Sequence, residues 1–254
     1  MLESKRILVV GAGGLLGCKV VSHLLKQQSA VVAADINVES MTRRLESNGV
    51  DVSSSTLTLT SVNITNEAAT AEFFETQSGL TGAVNCSYPK NKTYGAHFLD
   101  VTLESFNDNV NLHLGSAFLF MQHCARYFKK HETPFSLVNI SSIYGAVAPK
   151  FSIYDNTLMT VPVEYAAIKS SIIHLNKYVS SYINDSRFRV NSVCPGGIFD
   201  SQPEVFLERY RQQTNGKGML DVDDVVGSIL FLLSDHASYI NGQNLIVDDG
   251  FSNH

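Results

Sequence analysis

Cysteine is sparse and scattered: Cys18, Cys86, Cys124 and Cys194 are the four in 254 residues, and no two of them form a CxxC. That spacing argues against a disulfide framework or a zinc site and fits a reduced, cytoplasmic protein with no bound metal. No apolar run approaches the roughly 20 residues that span a bilayer, so no membrane partner is expected. Met1–Val10 has neither the long apolar stretch nor the small-residue cleavage site of a signal peptide. Cations are in the minority, 19 Lys and Arg against 24 Asp and Glu for a net charge of −5, and they form no block. A nucleic-acid partner is therefore not expected either. Repeats, low-complexity tracts and Pro/Gly/Ser-rich linkers are also missing, which leaves one domain over residues 1–254. An apolar share of 44% is ample for its core.

Short β-branched runs alternate with longer amphipathic segments. Strands are predicted at Arg6–Val10, Ala30–Ala34 closed by Asp35, Thr56–Val62, Gly82–Asn85, Phe135–Ile140, Arg189–Val193 and Leu245–Val247. Leu16, Val20 and Leu24 at i, i+4 and i+8 predict a helix after the first strand. Longer helical patterns lie near Thr102–Lys130, Pro162–Ile183 and Asp221–Ser234. Such alternation predicts an α/β fold: a doubly wound, parallel seven-stranded sheet with helices on both faces and ligands at the carboxyl ends of the strands.

Val10-Gly11-Ala12-Gly13-Gly14-Leu15-Leu16-Gly17 joins the first strand to the first helix. A turn that cradles a pyrophosphate at a helix N-terminus needs glycine for positive φ and for close backbone approach. A glycine cluster alone is weak, since an α/β protein without any nucleotide also uses glycines in turns. Asp35 strengthens it, 18 positions beyond Gly17 at the end of the second strand. A carboxylate there accepts from ribose hydroxyls and repels a 2′-phosphate, and Ile36 follows where a basic residue would favour NADP. NAD is the expected cofactor, NADP the less favoured one. Arg43 and Arg44 would soften that preference if they fold back; otherwise they sit on a solvated helix face.

Tyr165 and Lys169 stand at i and i+4 on one helix face. A phenol with a pKa near ~10 is a poor base, and a neighbouring ammonium together with a cationic nicotinamide would favour the phenolate. Lowering the pKa by about three takes roughly 4 kcal/mol. The bland alternative is a half-buried helix with a snorkelling lysine. Upstream, Val138-Asn139-Ile140-Ser141-Ser142 ends a strand in hydroxyls, with Gly145 beyond. Strand ends often carry capping serines, so this too is weak alone; in combination the pattern is specific.

These residues resemble the short-chain dehydrogenase/reductase family over nearly the whole chain. Glycine turn, Asp35, Val84-Asn85, Ser142, Tyr165, Lys169, Pro195-Gly196 and the ending Ile240-Asn241-Gly242-Gln243 to Val247-Asp248-Asp249-Gly250 fall in family order. The resemblance implies that Tyr165 is the general acid/base and that Ser142, three positions before Gly145, binds the reacting oxygen. It implies further that Lys169 holds the nicotinamide ribose. Pro195, Gly196, Gly197 and Ile198 would line the nicotinamide carboxamide, and Asn63 with Ile64 would meet the adenine.

Departures from the family pattern are several. Asn85-Cys86-Ser87-Tyr88 replaces the usual Asn-Asn-Ala-Gly at the cofactor wall. His113 falls where the family has a catalytic Asn, with Asn111 two positions away and facing elsewhere; His113 either takes part in catalysis or simply packs. Asp200 replaces a threonine after Pro-Gly. Ser142 and Tyr165 are 23 positions apart, which implies a small substrate flap within residues 146–164. A substrate loop is expected at residues 198–218.

Lys150, Tyr154 and Asp155 in the flap, Tyr88, Lys90 and Lys92 in the loop after the fourth strand, and Arg209, Arg211 and Lys217 further on suggest a hydroxyl-rich, phosphorylated or nucleotide-linked sugar. The alternative is that these cations are ordinary solvated surface. Tyr88-Pro89, Val110–Gly115, Asn156–Met159 and Pro195–Ile198 are similar to the flagellin-modification group of the family, which is associated with bacterial nonulosonic acid sugars. The family also implies a homotetramer or homodimer built on the two long helices. A non-catalytic nucleotide sensor on the same fold, or a sugar-nucleotide epimerase or dehydratase, are the competing readings.

Overall fold

The computed structural model describes residues 1–253. Seven strands form one parallel sheet: β1 (Arg6–Val10), β2 (Ala30–Asp35), β3 (Leu57–Ser61), β4 (Gly82–Asn85), β5 (Phe135–Ile140), β6 (Phe188–Pro195) and β7 (Asn244–Val247). Their order across the sheet is β3-β2-β1-β4-β5-β6-β7. The chain winds outward from β1 to β3, then returns to the other side of β1, so Val10 pairs with Ala34 on one side and Asn85 on the other. The β1/β4 boundary is thus a topological switch point, where strand carboxyl ends open a crevice.

Side-chain alternation divides the core into two layers. Ile7, Val9, Val31 and Ala33 point to the face covered by α1 (Leu15–Lys26) and α8 (Val222–Leu233), where Val20, Leu24, Val225 and Ile229 are fully buried. Leu8, Val10, Val32 and Ala34 point to the other face, against α3 (Glu67–Glu75), α5 (Ser116–His131) and α6 (Val163–Ile183) through Phe74, Phe120, Phe128 and Ile168. The remaining helices are α2 (Val38–Ser47), α4 (Leu103–Asn109) and α7 (Glu204–Arg211).

Two elements differ from the sequence expectation. The helix predicted over Thr102–Lys130 is interrupted by a widened π turn at Val110–Gly115 between α4 and α5. Such a turn inserts one residue into the hydrogen-bond ladder and shifts the apolar phase once, over a stretch of six residues too short for a periodicity reading to separate from one continuous helix. The predicted substrate loop 198–218 is in part a helix, α7, whose Phe206 and Tyr210 at i and i+4 are buried. Those two join Ile143, Ile153 and Phe251 in a third, smaller core under the flap. A lone bridge between Ile198 and Leu220 closes the base of that segment. No helix among the described residues is long and apolar enough to cross a membrane.

Candidate active site

Gly11 sits at the switch point with φ +72°, and a Cβ there would lie 2.7 Å from the Cys86 carbonyl carbon. Only glycine allows β1 to turn this close to the end of β4. A Cβ on Gly17 would collide with the Gly11 carbonyl, so α1 can start tight against the turn. Gly14 caps α1 without a side-chain partner, leaving first-turn N–H groups for an anion. Asp35 Oδ2 accepts from Gly13 N at 2.9 Å and holds the turn against the end of β2.

Beside this turn lies a cavity of about 560 Å³ lined by Gly11, Gly13, Gly14, Asp35, Ile36, Asn63, Ile64 and Cys86. A second, of about 490 Å³, is lined by Leu15, Leu16, Ser142, Tyr165, Lys169 and Pro195–Ile198. Gly14, Cys86, Ser87 and Tyr88 border both, so the two are halves of one cleft. A positive-φ turn, an uncapped helix start, a carboxylate at the ribose position and an elongated cleft fit a dinucleotide. Gly17 and Asn85 shape that cleft without lining it; Asn85 Oδ1 accepts from Ser87 N at 3.1 Å and from Ser87 Oγ at 2.6 Å. Asn63 Oδ1 is similarly engaged by Thr65, leaving its amide N–H groups for a base.

In the other half, Gly145 lets the segment after β5 touch α6: a Cβ on it would lie 2.6 Å from the Lys169 carbonyl carbon. Ser141 Oγ donates to Lys169 O at 2.8 Å and is consumed as a structural tie. Ser142 Oγ accepts from Tyr144 N at 3.1 Å, which leaves its proton free to face Tyr165. Lys169 is 4% exposed, and its Nζ donates to Ile140 O at 2.8 Å and stands 5.6 Å from the centre of the Tyr165 ring. Burial pushes the Lys169 ammonium down to about 8, while the Cys194 and Cys86 thiols act in the opposite direction.

From the sequence, Lys169 is expected to lower the Tyr165 pKa. In the structure the shift goes the other way: burial raises it, and the Ser142 hydroxyl only partly opposes this. Desolvation of the phenolate is the largest cause, and Cys194 adds to it. A cationic ring in the cleft would have to reverse the balance.

A profile of the family described as enoyl-(acyl carrier protein) reductase matches residues 11–252. The flagellin modification protein A of Campylobacter coli is 38% identical over 99% of both chains. The chain belongs to the short-chain dehydrogenase/reductase family. A crystal structure of a short-chain dehydrogenase from Leptospira borgpetersenii with bound NAD+ superposes with a TM-score of 0.87 at 30% identity, covering 99% of this chain and 94% of that one. The pig protein named carbonyl reductase [NADPH] 2 is 32% identical over 61% of this chain and 62% of its own. This short-chain dehydrogenase/reductase is an oxidoreductase that takes NAD or NADP.

Several expected substrate contacts are placed elsewhere. Lys90 lines the nucleotide half, above the Tyr88 and Tyr94 rings, because Tyr88 stands between it and Tyr165. Lys150 is bound to Gln213 Oε1 and Phe251 O, Arg209 to the Asp155 carbonyl, Arg211 to Glu208, and Lys217 to Asp221 and Asp224. Lys92 and Asp200 are exposed and line neither cavity. Among the described residues Lys169 is the only Lys or Arg lining the catalytic half. Tyr88 and Tyr154 do line it, together with Tyr144, Tyr210, Gln202 and Met219, which were not expected from the sequence. Tyr210 was legible through its spacing from Phe206; Tyr144 carried no such signal. Arg44, expected on a solvated face, folds back and donates to Gly13 O at 3.2 Å. His113 lies against Lys169 and lines neither cavity. Among the described residues no group of three or more His, Cys, Asp or Glu could hold a metal.

Proposed function

We propose that this oxidoreductase uses NAD to oxidise a carbinol or reduce a carbonyl on a sugar derivative that enters a flagellin or other bacterial surface glycan. The observation that carries the reading is the catalytic half of the cleft: Ser142 and Tyr165 face a cavity walled by tyrosines. Gly11, Gly13, Gly14, Asp35, Ile36, Asn63 and Ile64 would hold the adenosine and pyrophosphate, and Lys169 with Pro195–Ile198 the nicotinamide end. Bound there, the dinucleotide supplies or accepts the hydride.

The side chains do the rest. Ser142 Oγ donates to the substrate oxygen and fixes its position. Tyr165 Oη gives that oxygen a proton in reduction, or takes one in oxidation. Lys169 stabilises the phenolate, and the buried cleft excludes bulk water. Tyr88, Tyr144, Tyr154 and Tyr210 offer ring faces and hydroxyls suited to a polyhydroxylated ring. Any phosphate or nucleotide on the substrate would remain outside this cavity, where its charge can be solvated.

Similarity to the Campylobacter coli flagellin modification protein supports the glycan assignment, and Asp35 supports NAD over NADP, a preference that Arg44 at the glycine turn softens. Phe118, Tyr178 and Tyr182 are 48%, 62% and 76% exposed on α5 and α6, which supports pairing of two copies across those helices. The test is a panel of free, phosphorylated and nucleotide-linked sugars followed at nicotinamide absorbance, with NAD and NADP in parallel. NAD-linked turnover of sugars is expected. Turnover confined to steroid or acyl carbonyls would overturn the substrate assignment.

A further inference from the structure

The proposed chemistry leaves one buried histidine at the site without a task, and the role inferred for it rests on that chemistry. His113 is 3% exposed on the widened turn Val110–Gly115, which packs against α6. Its Nε2 stands 3.4 Å from Lys169 Nζ. The Tyr88 ring meets the imidazole edge-on at 4.9 Å and also covers Lys169 Nζ at 5.5 Å from its centre. The Tyr94 hydroxyl tethers the Tyr88 hydroxyl, so this cover is fixed at both ends. Asn111 is exposed and takes no part.

We propose that His113 is a positioning residue: a neutral imidazole whose Nε2 accepts a hydrogen bond from the Lys169 ammonium, keeping it charged and aimed at the reaction site beside the Tyr88 ring. An ammonium has three N–H donors. Ile140 O takes one and His113 Nε2 a second, leaving one for the cleft. The titratable groups facing Lys169 are Cys86 after β4, Cys194 on β6, Tyr165 on its own helix, Tyr88 and His113. Burial pushes the Cys86 and Cys194 thiols up to about 12 and about 11, so neither supplies a negative charge near neutral pH. A buried ammonium without an anionic partner depends on its hydrogen-bond acceptors to remain charged. His113 suits that role, because burial and then Lys169 push its own pKa down to about 2 and keep Nε2 unprotonated.

Two variants separate acceptor from filler. His113→Leu keeps bulk without an acceptor; His113→Gln offers an amide oxygen. In alcohol oxidation the rate rises with pH as Tyr165 ionises, and loss of the Lys169 charge makes that ionisation harder. The midpoint of log kcat against pH is expected to move up by about one pH unit in His113→Leu and to remain near wild type in His113→Gln. Independently of turnover, nitrogen NMR of the free protein is expected to show one histidine fixed as the neutral Nδ1–H tautomer from about pH 5 to about pH 9, with its signal absent in His113→Gln. Coincident midpoints for wild type and His113→Leu, or a His113 signal that protonates near about pH 6.5, would overturn the proposal. If wild type turned over no nicotinamide substrate the catalytic reading would fall, whereas the NMR result would still decide the hydrogen bond.

Discussion

Ser141 and Ser142 are adjacent and chemically identical, yet one is a tie to α6 and the other faces the phenol. The family resemblance had pointed to Ser142, three positions before Gly145, and Gly145 is where the loop touches the helix. Lys90 lies in the nucleotide half; loop composition names a cation but not the side of Tyr88 on which it falls. His113 is a further single-residue case. Its folded pKa lies below its ordinary value, so between about 6.5 and about 2 the unfolded chain binds a proton that the native protein does not. Stability should therefore be fully present above about pH 6.5 and decline as pH falls, by about 1.4 kcal/mol per pH unit for this group. Urea unfolding at about pH 7 and about pH 5 should show a smaller acid loss in His113→Gln than in wild type. Gly11→Ala is expected to add about 1–2 kcal/mol of backbone strain and a collision with Cys86. Dinucleotide affinity, measured by fluorescence titration, should fall more than about tenfold.

Among the elements, the strands were the most legible features. β1, β4 and β5 fall on their predicted bounds, because buried β-branched runs end sharply at glycine, asparagine or serine. The two helix surprises have separate causes. The π turn shifts the apolar phase over only six residues, too few to stand out from one long helical pattern, while α7 is only eight residues long and sits amid turn-forming residues. That short helix packs on the segment before α6, where Phe206 meets the Tyr154 ring at 5.1 Å. Phe251 stacks on Tyr210 at 4.6 Å and meets Tyr144 at 6.2 Å, and Lys150 stands over its ring. The C-terminal segment thereby clasps both the flap and α7. Phe251→Ala should cost about 3–5 kcal/mol locally. We expect KM for substrate to rise several-fold while the dinucleotide Kd stays unchanged, measured by steady-state kinetics beside binding titration.

For the protein taken together, winding order creates the site. Because β4 returns beside β1, the glycine turn, the β5 hydroxyls and the α6 Tyr165–Lys169 pair open into one cleft, although they come from separate stretches of chain. Alternating strands and helices made the fold class readable, and the resemblance named Ser142, Tyr165 and Lys169, which meet in that cleft. Of the cavity wall beside them, Tyr88 and Tyr154 were expected, whereas Tyr144, Gln202 and Met219 were not, since only tertiary packing decides their convergence. The net charge of −5 and the lack of a surface cation in the catalytic half predict weak electrostatic steering. KM for a sugar substrate should change less than about twofold between about 50 and about 200 mM salt.

The mechanism stands on Tyr165 moving the proton in a cleft that binds a redox nucleotide. Turnover and dinucleotide affinity, measured together in Tyr165→Phe, decide it. A fall in kcat of about 10²–10⁴ is expected, with NAD Kd retained within about threefold. Turnover near the wild-type level, with NAD still bound, would contradict it.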